Sequence, residues 1–491
     1  MSRQRVILVT AGIMLSLFLA SMESTVVATA MPTIVGQLGG LEHYSWVFSA
    51  YMLTSTTTVP LYGKLSDLYG RRKLYVFAMA LFLAGSIWAG QANSMSGLIL
   101  ARGLQGIGAG GIMPLAFILI GEMFSLDQRA KMQGYFSGVW GVSSIAGPLL
   151  GGFLVDQLSW RWVFYVNILP GLLAAALVAF AWRDQLHGHG RPVVDYAGAA
   201  LLMASVVTLL IGLMDGTSYS LFLIAASIAL FVALLWVESR AADPILPLHL
   251  FRERLFAIAV THGVLTGWAM FGSISFIPLF VQSVLGTSAT GAGITIAPML
   301  LGWVGASIIG TRLLLKVGYR RLAILGTSFL VIGAFLMSTT GADISQAVLM
   351  VYVSLMGIGM GFSIPPFLIA VQTSVERRYL GTATSTMQFS RSIGGTLGVS
   401  VMGAALSTRL VSNLAASGLD LERVSRLLNP LPGDEALLTD AVRIAVADAI
   451  NIVFIIAFIA AFLGLISTLF TPRKELTERI PEREPSTISA D

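Results

Sequence analysis

Gly63-Lys64-Leu65-Ser66-Asp67-Leu68-Tyr69-Gly70-Arg71-Arg72-Lys73 is a charged, glycine-bounded stretch set between two long apolar runs, residues 44–62 and 74–92. Lys64, Arg71, Arg72 and Lys73 are too costly to hold in hydrocarbon, so the stretch reads as a hairpin turning the chain round at one surface of a bilayer. Each flanking run is about 19 residues long. At about 1.5 Å per residue, that crosses a hydrocarbon core of roughly 30 Å as a helix.

The same alternation fills the chain. Apolar windows fall at about 6–35, 44–62, 74–92, 95–120, 133–155, 161–182, 196–214, 219–237, 255–284, 290–315, 321–340, 346–371, 382–408 and 447–471, which makes fourteen. Of 491 residues, 56% are hydrophobic and only 11% charged, so the bilayer is the solvent. The windows are continuous rather than alternating ten-residue strands, which excludes a β-barrel and predicts an all-α polytopic membrane protein. The first window follows Arg3 and Arg5 without a small-residue cleavage pattern, and it reads as a retained span. The absence of cysteine removes disulfide and thiol chemistry.

Charge sets the orientation. With the N-terminus inside, about 23 of the 30 lysines and arginines lie inside, about five outside, and Arg102 and Arg391 within spans. Both termini are then expected in the cytoplasm, with a polar tail over 473–491. The net charge of +5 follows from this asymmetry, and no basic tract is dense enough for nucleic acid. The long outer connection from Ser412 to about Asp440 carries Leu421, Val424, Leu427 and Leu428 at helical spacing, and reads either as a short amphipathic helix over the vestibule or as a tethered loop. A degenerate echo of Gly70-Arg71-Arg72-Lys73 at Gly318-Tyr319-Arg320-Arg321, without an acid matching Asp67, suggests two similar halves. The expected organisation is a six-helix bundle over 1–185, an inserted hairpin over 186–240, and a second six-helix bundle over 241–472 with the extracellular loop 409–446.

Four motifs carry mechanism. In the hairpin, Gly63 and Gly70 allow close approach, and Asp67 is placed to pair with Arg71 or to meet another helix's N-terminus, as a latch that breaks when the halves rock. In the fourth window, Arg102-Gly-Leu-Gln105-Gly106 buries an arginine that needs an anion, water or carbonyls as partners. In the fifth, Gly138, Gly141, Gly147, Gly151 and Gly152 predict a flat face for close packing, and Pro148 removes a helical hydrogen bond. In the first, Glu23 is the only acid well inside any window, Glu122, Asp156 and Asp215 falling at or near span ends. Burial favours its protonated form and a nearby cation its ionised form, so a Glu23–Arg102 pair would hold a proton affinity that changes with access. Helical rise puts the two at overlapping depths. Gln388 and Arg391 sit in the thirteenth window beside Gly394, Gly395 and Gly398, where Arg391 also reads as a snorkelling side chain, and His262 reads as a packing residue. No phosphate-binding glycine loop, nucleophile elbow or metal spacing occurs, so an enzyme or an ATP-driven pump is not expected.

Together these motifs resemble the major facilitator superfamily, in particular its fourteen-span drug/proton antiporter branch. The resemblance spans essentially the whole chain. Besides the motifs above, it includes Glu23-Ser-Thr25-Val-Val27…Ala30-Met-Pro32, Trp160-Arg161-Trp162-Val-Phe164-Tyr165-Val-Asn167 and Gly357-Ile-Gly-Met-Gly361…Pro365-Pro366…Gln372. It implies two six-helix bundles plus two inserted helices, alternating access, and export of lipophilic, often cationic drugs or antibiotics across a prokaryotic inner membrane. No cofactor is implied beyond the proton gradient, and the partners implied are an amphipathic small molecule, protons and lipid, with the monomer as working unit. It assigns Glu23 and Arg102 to proton coupling, Asp67 and Arg71 to the latch, and Gly147-Pro148 to an antiport seal. The branch usually has aspartate where Glu23 stands and asparagine where Ala28 stands. Late spans ten and thirteen carry no acid, so neutral or monocationic compounds are expected over dications. Trp46, Tyr51, Gln105, Phe136, Trp140, Trp268, Phe271, Met299 and Gln388 are the expected substrate contacts. Export of an endogenous lipid by the same fold is the alternative.

Overall fold

A computed structural model describes residues 2–38, 44–183, 195–214, 219–241, 244, 246, 248–287, 289–416 and 440–473. The expected helix or loop at 417–439, the tail from 474 and part of the connection between the first bundle and the hairpin lie outside the described residues. Helices occupy every apolar window: α1 (Arg3–Leu38), α2 (Tyr44–Tyr69), α3 (Arg71–Gly90), α4 (Met95–Met123), α5 (Leu126–Gln157), α6 (Trp162–Tyr165), α7 (Ile168–Ala181), α8 (Tyr196–Met214), α9 (Ser220–Glu238), α10 (Arg254–Ser283), α11 (Ala289–Val317), α12 (Tyr319–Ser338), α13 (Gln346–Ser374), α14 (Leu380–Ala416) and α15 (Asp440–Leu469). No strand occurs among the described residues. The window at 161–182 forms one span, Trp162–Ala181, in which Val166 and Asn167 keep helical backbone angles between α6 and α7.

Among the described residues, ten of these spans are long and apolar enough to cross a bilayer by composition alone; α2 and α14 are not among them. Their polarity has a physical reason. α2 carries Thr54-Ser55-Thr56-Thr57-Thr58, and α14 carries Thr382, Thr384, Ser385, Thr386, Gln388 and Arg391. α2 packs on α14 and α5 on α11, so these helices meet along the seam between the halves.

Each half has its own apolar interior. In the first, Val9, Ile13, Tyr75, Phe82, Ile112 and Val178 pack together; in the second, Met270, Phe280, Met299, Leu330, Met356 and Phe454 do. Gly70 (φ 92°) and Gly318 (φ 85°) precede α3 and α12 in the left-handed region, where a side chain is strained. The degenerate sequence echo is thus a matched backbone turn, and its second copy has Leu315 in place of Asp67 and Tyr319 in place of Arg71. α8 and α9 pair with each other, and α8 lies against both α2 and α14, with Leu202 and Val206 among Leu53, Leu61, Phe389 and Ile393. Only 11% of the apolar window of α9 is buried, as suits a lipid-facing hairpin.

Candidate functional site

Within the first half, one polar network is sealed from solvent. Glu23 on α1 is 1% exposed and Arg102 on α4 is 0% exposed, with Arg102 Nη1 donating to Glu23 Oε1 at 2.5 Å. The second carboxylate oxygen, Oε2, accepts from Asn167 Nδ2 at 2.7 Å. The guanidinium has further partners: Nη1 donates to Gln105 Oε1 at 2.7 Å and Nε to the Val47 carbonyl at 3.3 Å, while its plane lies 4.3 Å from the centre of the Tyr51 ring. Gln105 in turn donates to the Ser86 hydroxyl on α3 at 2.8 Å. A pair so fully desolvated holds together only because its remaining donors and acceptors are satisfied. Every charge-bearing oxygen of Glu23 faces a donor, and loss of the charge by protonation would release Arg102 from its strongest partner.

The latch forms across the seam. Asp67 Oδ1 accepts from Arg71 Nη2 at 2.6 Å within its own hairpin. The same carboxylate reaches the first turn of α14, accepting from the Gly381 N–H (3.2 Å), the Thr382 N–H (3.0 Å) and the Thr382 hydroxyl (2.9 Å). An anion there satisfies helix-end donors and the positive end of the helix dipole. Arg71 also pairs with Glu122 at the end of α4, Nε to Oε1 at 3.0 Å. Gly63 lies against Gly381 and Ser385, and a Cβ at Gly63 would collide with both. Nearby, Gln372 Nε2 on α13 donates to the Phe117 carbonyl on α4 at 3.3 Å. These inter-half contacts cluster toward the face carrying the Gly63–Lys73 hairpin and Arg320-Arg321, called here the basic face.

Mid-seam, a cavity of about 60 Å³ lies between Met113, Phe117, Phe136 and Trp140 of the first half and Phe271, Trp303, Pro365 and Arg391 of the second. A drug-sized ligand needs at least about 300 Å³, so the walls meet too closely here to hold one. Trp140 and Trp303 approach across the seam with ring centres 6.5 Å apart. Of the expected contacts, Phe136, Trp140 and Phe271 line this cavity, and Gln388 lines a smaller adjoining crevice with His262, Phe367 and Arg391. Tyr51 and Gln105 belong to the Glu23–Arg102 network instead. Met299, 1% exposed, is packed in the core of the second half, and Trp268 packs against that core with its ring edge against Gly398. Trp46 stands half-buried in the first turn of α2. His262 shares a hydrogen bond with Thr327 Oγ1 at 3.1 Å, consistent with a packing role.

The α5 glycines divide. Gly141 meets Val304 of α11, and Gly147 and Gly151 are buried, but no described neighbour lies within 4 Å of where a Cβ would project from Gly138 or Gly152. α5 runs as one helix through position 148. Sequence reasoning missed Asn167, Ser86, Thr382 and Trp303. Only Asn167 carried a signal, lying at the end of the Trp160–Asn167 motif.

Two helical bundles that meet along a seam around a cavity lined by aromatic side chains and Arg391 have the form of a multi-pass membrane protein. The sequence profile of the Major Facilitator Superfamily matches residues 13–399, and the chain belongs to that superfamily. It is 41% identical over 413 residues to the multidrug transporter protein MdtP of Bacillus subtilis, covering 83% of this chain and 76% of that one. It is 36% identical over 485 residues to multidrug resistance protein 3 of the same organism, covering 94% of both. The fold is shared with a solved peptide transporter of the POT family at TM-score 0.64 and 15% identity, over 97% of this chain and 98% of that one. The protein is thus a transporter and not an enzyme.

Proposed function

We propose that this protein exports lipophilic drugs or antibiotics in exchange for protons across a prokaryotic inner membrane, as a fourteen-span monomer with both termini in the cytoplasm. The observation that carries the reading is the sealed Glu23–Arg102–Asn167 network: a membrane carboxylate whose charge is matched donor by donor is a site where adding one proton changes the balance of the bundle. The names of the two Bacillus subtilis relatives support multidrug efflux.

With the basic face toward the cytoplasm, the contacts from Asp67 to Thr382 and from Gln372 to Phe117 close the cytoplasmic side. Loading substrate from inside then requires the α14 N-terminus to leave Asp67 and α2 to part from α14. Protonation of Glu23 from outside loosens Arg102 and so couples the return of the bundle to proton entry.

The test is reconstitution in liposomes with an imposed pH gradient, comparing dye movement by wild type and Glu23→Gln. Wild type concentrates dye against its gradient, and the variant does not. Equal gradient-driven transport by both would sink the assignment of Glu23.

A further inference from the structure

Arg102, buried, and Arg391, half-buried, are treated in opposite ways by this fold. Arg102 has a carboxylate, an amide oxygen, a backbone carbonyl and an aromatic face. Arg391, on α14, lines both the mid-seam cavity and the adjoining crevice, yet no hydrogen bond or ion pair joins its guanidinium to any described residue. One turn earlier on the same helix, Gln388 is 6% exposed and its Nε2 has no acceptor. Neither lining set contains an aspartate or glutamate, and the one other titratable group there, His262, is engaged with Thr327. One end of an otherwise aromatic cavity therefore presents a fork of N–H donors and a positive charge with nothing to receive them.

A guanidinium in a low-dielectric bundle is costly unless an anion or several acceptors meet it. Its planar fork matches a carboxylate or sulfonate in two parallel hydrogen bonds, a geometry that lysine lacks. Phe136, Trp140, Phe271 and Trp303 supply flat apolar walls on the far side. The single acid of the membrane core, Glu23, is committed to Arg102 and Asn167 and offers nothing to a cationic ligand.

We propose that Arg391 and Gln388 form an anion-recognising subsite, and that the cavity, once the bundles part and widen it beyond the about 60 Å³ of this closed form, selects amphipathic organic anions, an aromatic body bearing one carboxylate or sulfonate, over organic cations. Arg391 bonds the acid group, Gln388 donates a further hydrogen bond, and the aromatic walls stack on the body. This rests on the export reading for its biological meaning, but not for its test, and it departs from the cationic preference that the family resemblance implies.

The test is equilibrium binding to purified protein in detergent, without membrane or gradient, so that it reads the subsite whether or not protons drive export. The fluorescent probes are anilinonaphthalene sulfonate and the cation ethidium, titrated against wild type, Arg391→Gln, Arg391→Lys and Gln388→Leu. The readout is the ratio of anion to cation affinity. It falls at least about tenfold in Arg391→Gln, as for one lost bidentate contact, and by less in Arg391→Lys and Gln388→Leu. An unchanged ratio in Arg391→Gln, or a wild type that binds ethidium more tightly than the sulfonate, overturns the proposal. Should Arg391→Gln not fold, Gln388→Leu decides: a ratio lowered several-fold supports the subsite, and an unaltered ratio refutes it.

Discussion

Asn167 donates to Glu23 Oε2 at 2.7 Å, on the side of the carboxylate opposite Arg102, and so the junction of α6 and α7 completes the sealed Glu23–Arg102 pair of the first bundle. Replacing Asn167 by leucine removes a hydrogen bond to a charged group, worth about 1.5–3 kcal/mol. The expected outcome is a lowered thermal midpoint in detergent together with a loss of gradient-driven transport of tenfold or more. A variant as stable and as active as wild type would mean that Asn167 is incidental to the network.

Arg102 tests the same network from the cationic side. Arg102→Ala leaves Glu23 buried without its countercharge, a defect that costs about 3–5 kcal/mol. The double variant Glu23→Gln/Arg102→Ala removes both charges and should recover part of that loss, while remaining inactive in transport. Arg102→Lys is not expected to rescue, because an ammonium cannot reach Glu23, Gln105 and the Val47 carbonyl from one planar group. Thermal unfolding of Glu23→Gln, Arg102→Ala and the double variant gives the coupling; strictly additive losses would argue against a direct pair.

Much of this architecture was legible in the sequence because the bilayer imposes a local rule: each apolar window must satisfy its own backbone, and each became a helix. The approach of Glu23 to Arg102 followed from depth alone, since rise per residue fixes height in a helix. What stayed hidden was lateral. That Thr382 would receive Asp67, or that Trp303 would face Trp140, depends on how two bundles dock, and no local pattern reports it. Met299 illustrates the limit: its spacing fits a cavity wall, but it is a core residue of the second half. The role of Asn167 stayed hidden for a related reason, since it depends on which side of its helix meets α1.

The latch carries a prediction about populations. Asp67→Ala removes an anion from the first turn of α14, where the helix dipole alone contributes about 0.3–2 kcal/mol, along with three accepted hydrogen bonds. Each 1.4 kcal/mol shifts the closed-to-open ratio of the basic face about tenfold. The chain has no cysteine, so spin labels can be placed at 69 and 378 alone, both exposed positions on that face. Pulsed electron-resonance distances should show a dominant short separation in wild type and a longer one in Asp67→Ala. An unaltered distribution would reduce the latch to an ordinary surface contact.

The glycines of the seam separate two ways of serving a transport cycle. At Gly63 a Cβ collides with Ser385 and the Gly381 carbonyl, so Gly63→Val should hold the basic face apart and give the long label distance even with Asp67 intact. Gly138 is different. In this conformation nothing among the described residues occupies the space its Cβ would enter, and alanine in mid-helix gains about 0.5–1 kcal/mol over glycine. If Gly138 matters to the cycle, it must do so where α5 meets a neighbour in the opposite conformation, with the basic face open. Gly138→Ala should then raise the thermal midpoint slightly, favour the short label distance and slow transport about tenfold. Faster or unaffected transport at the higher stability would show that this glycine is not part of the gating face.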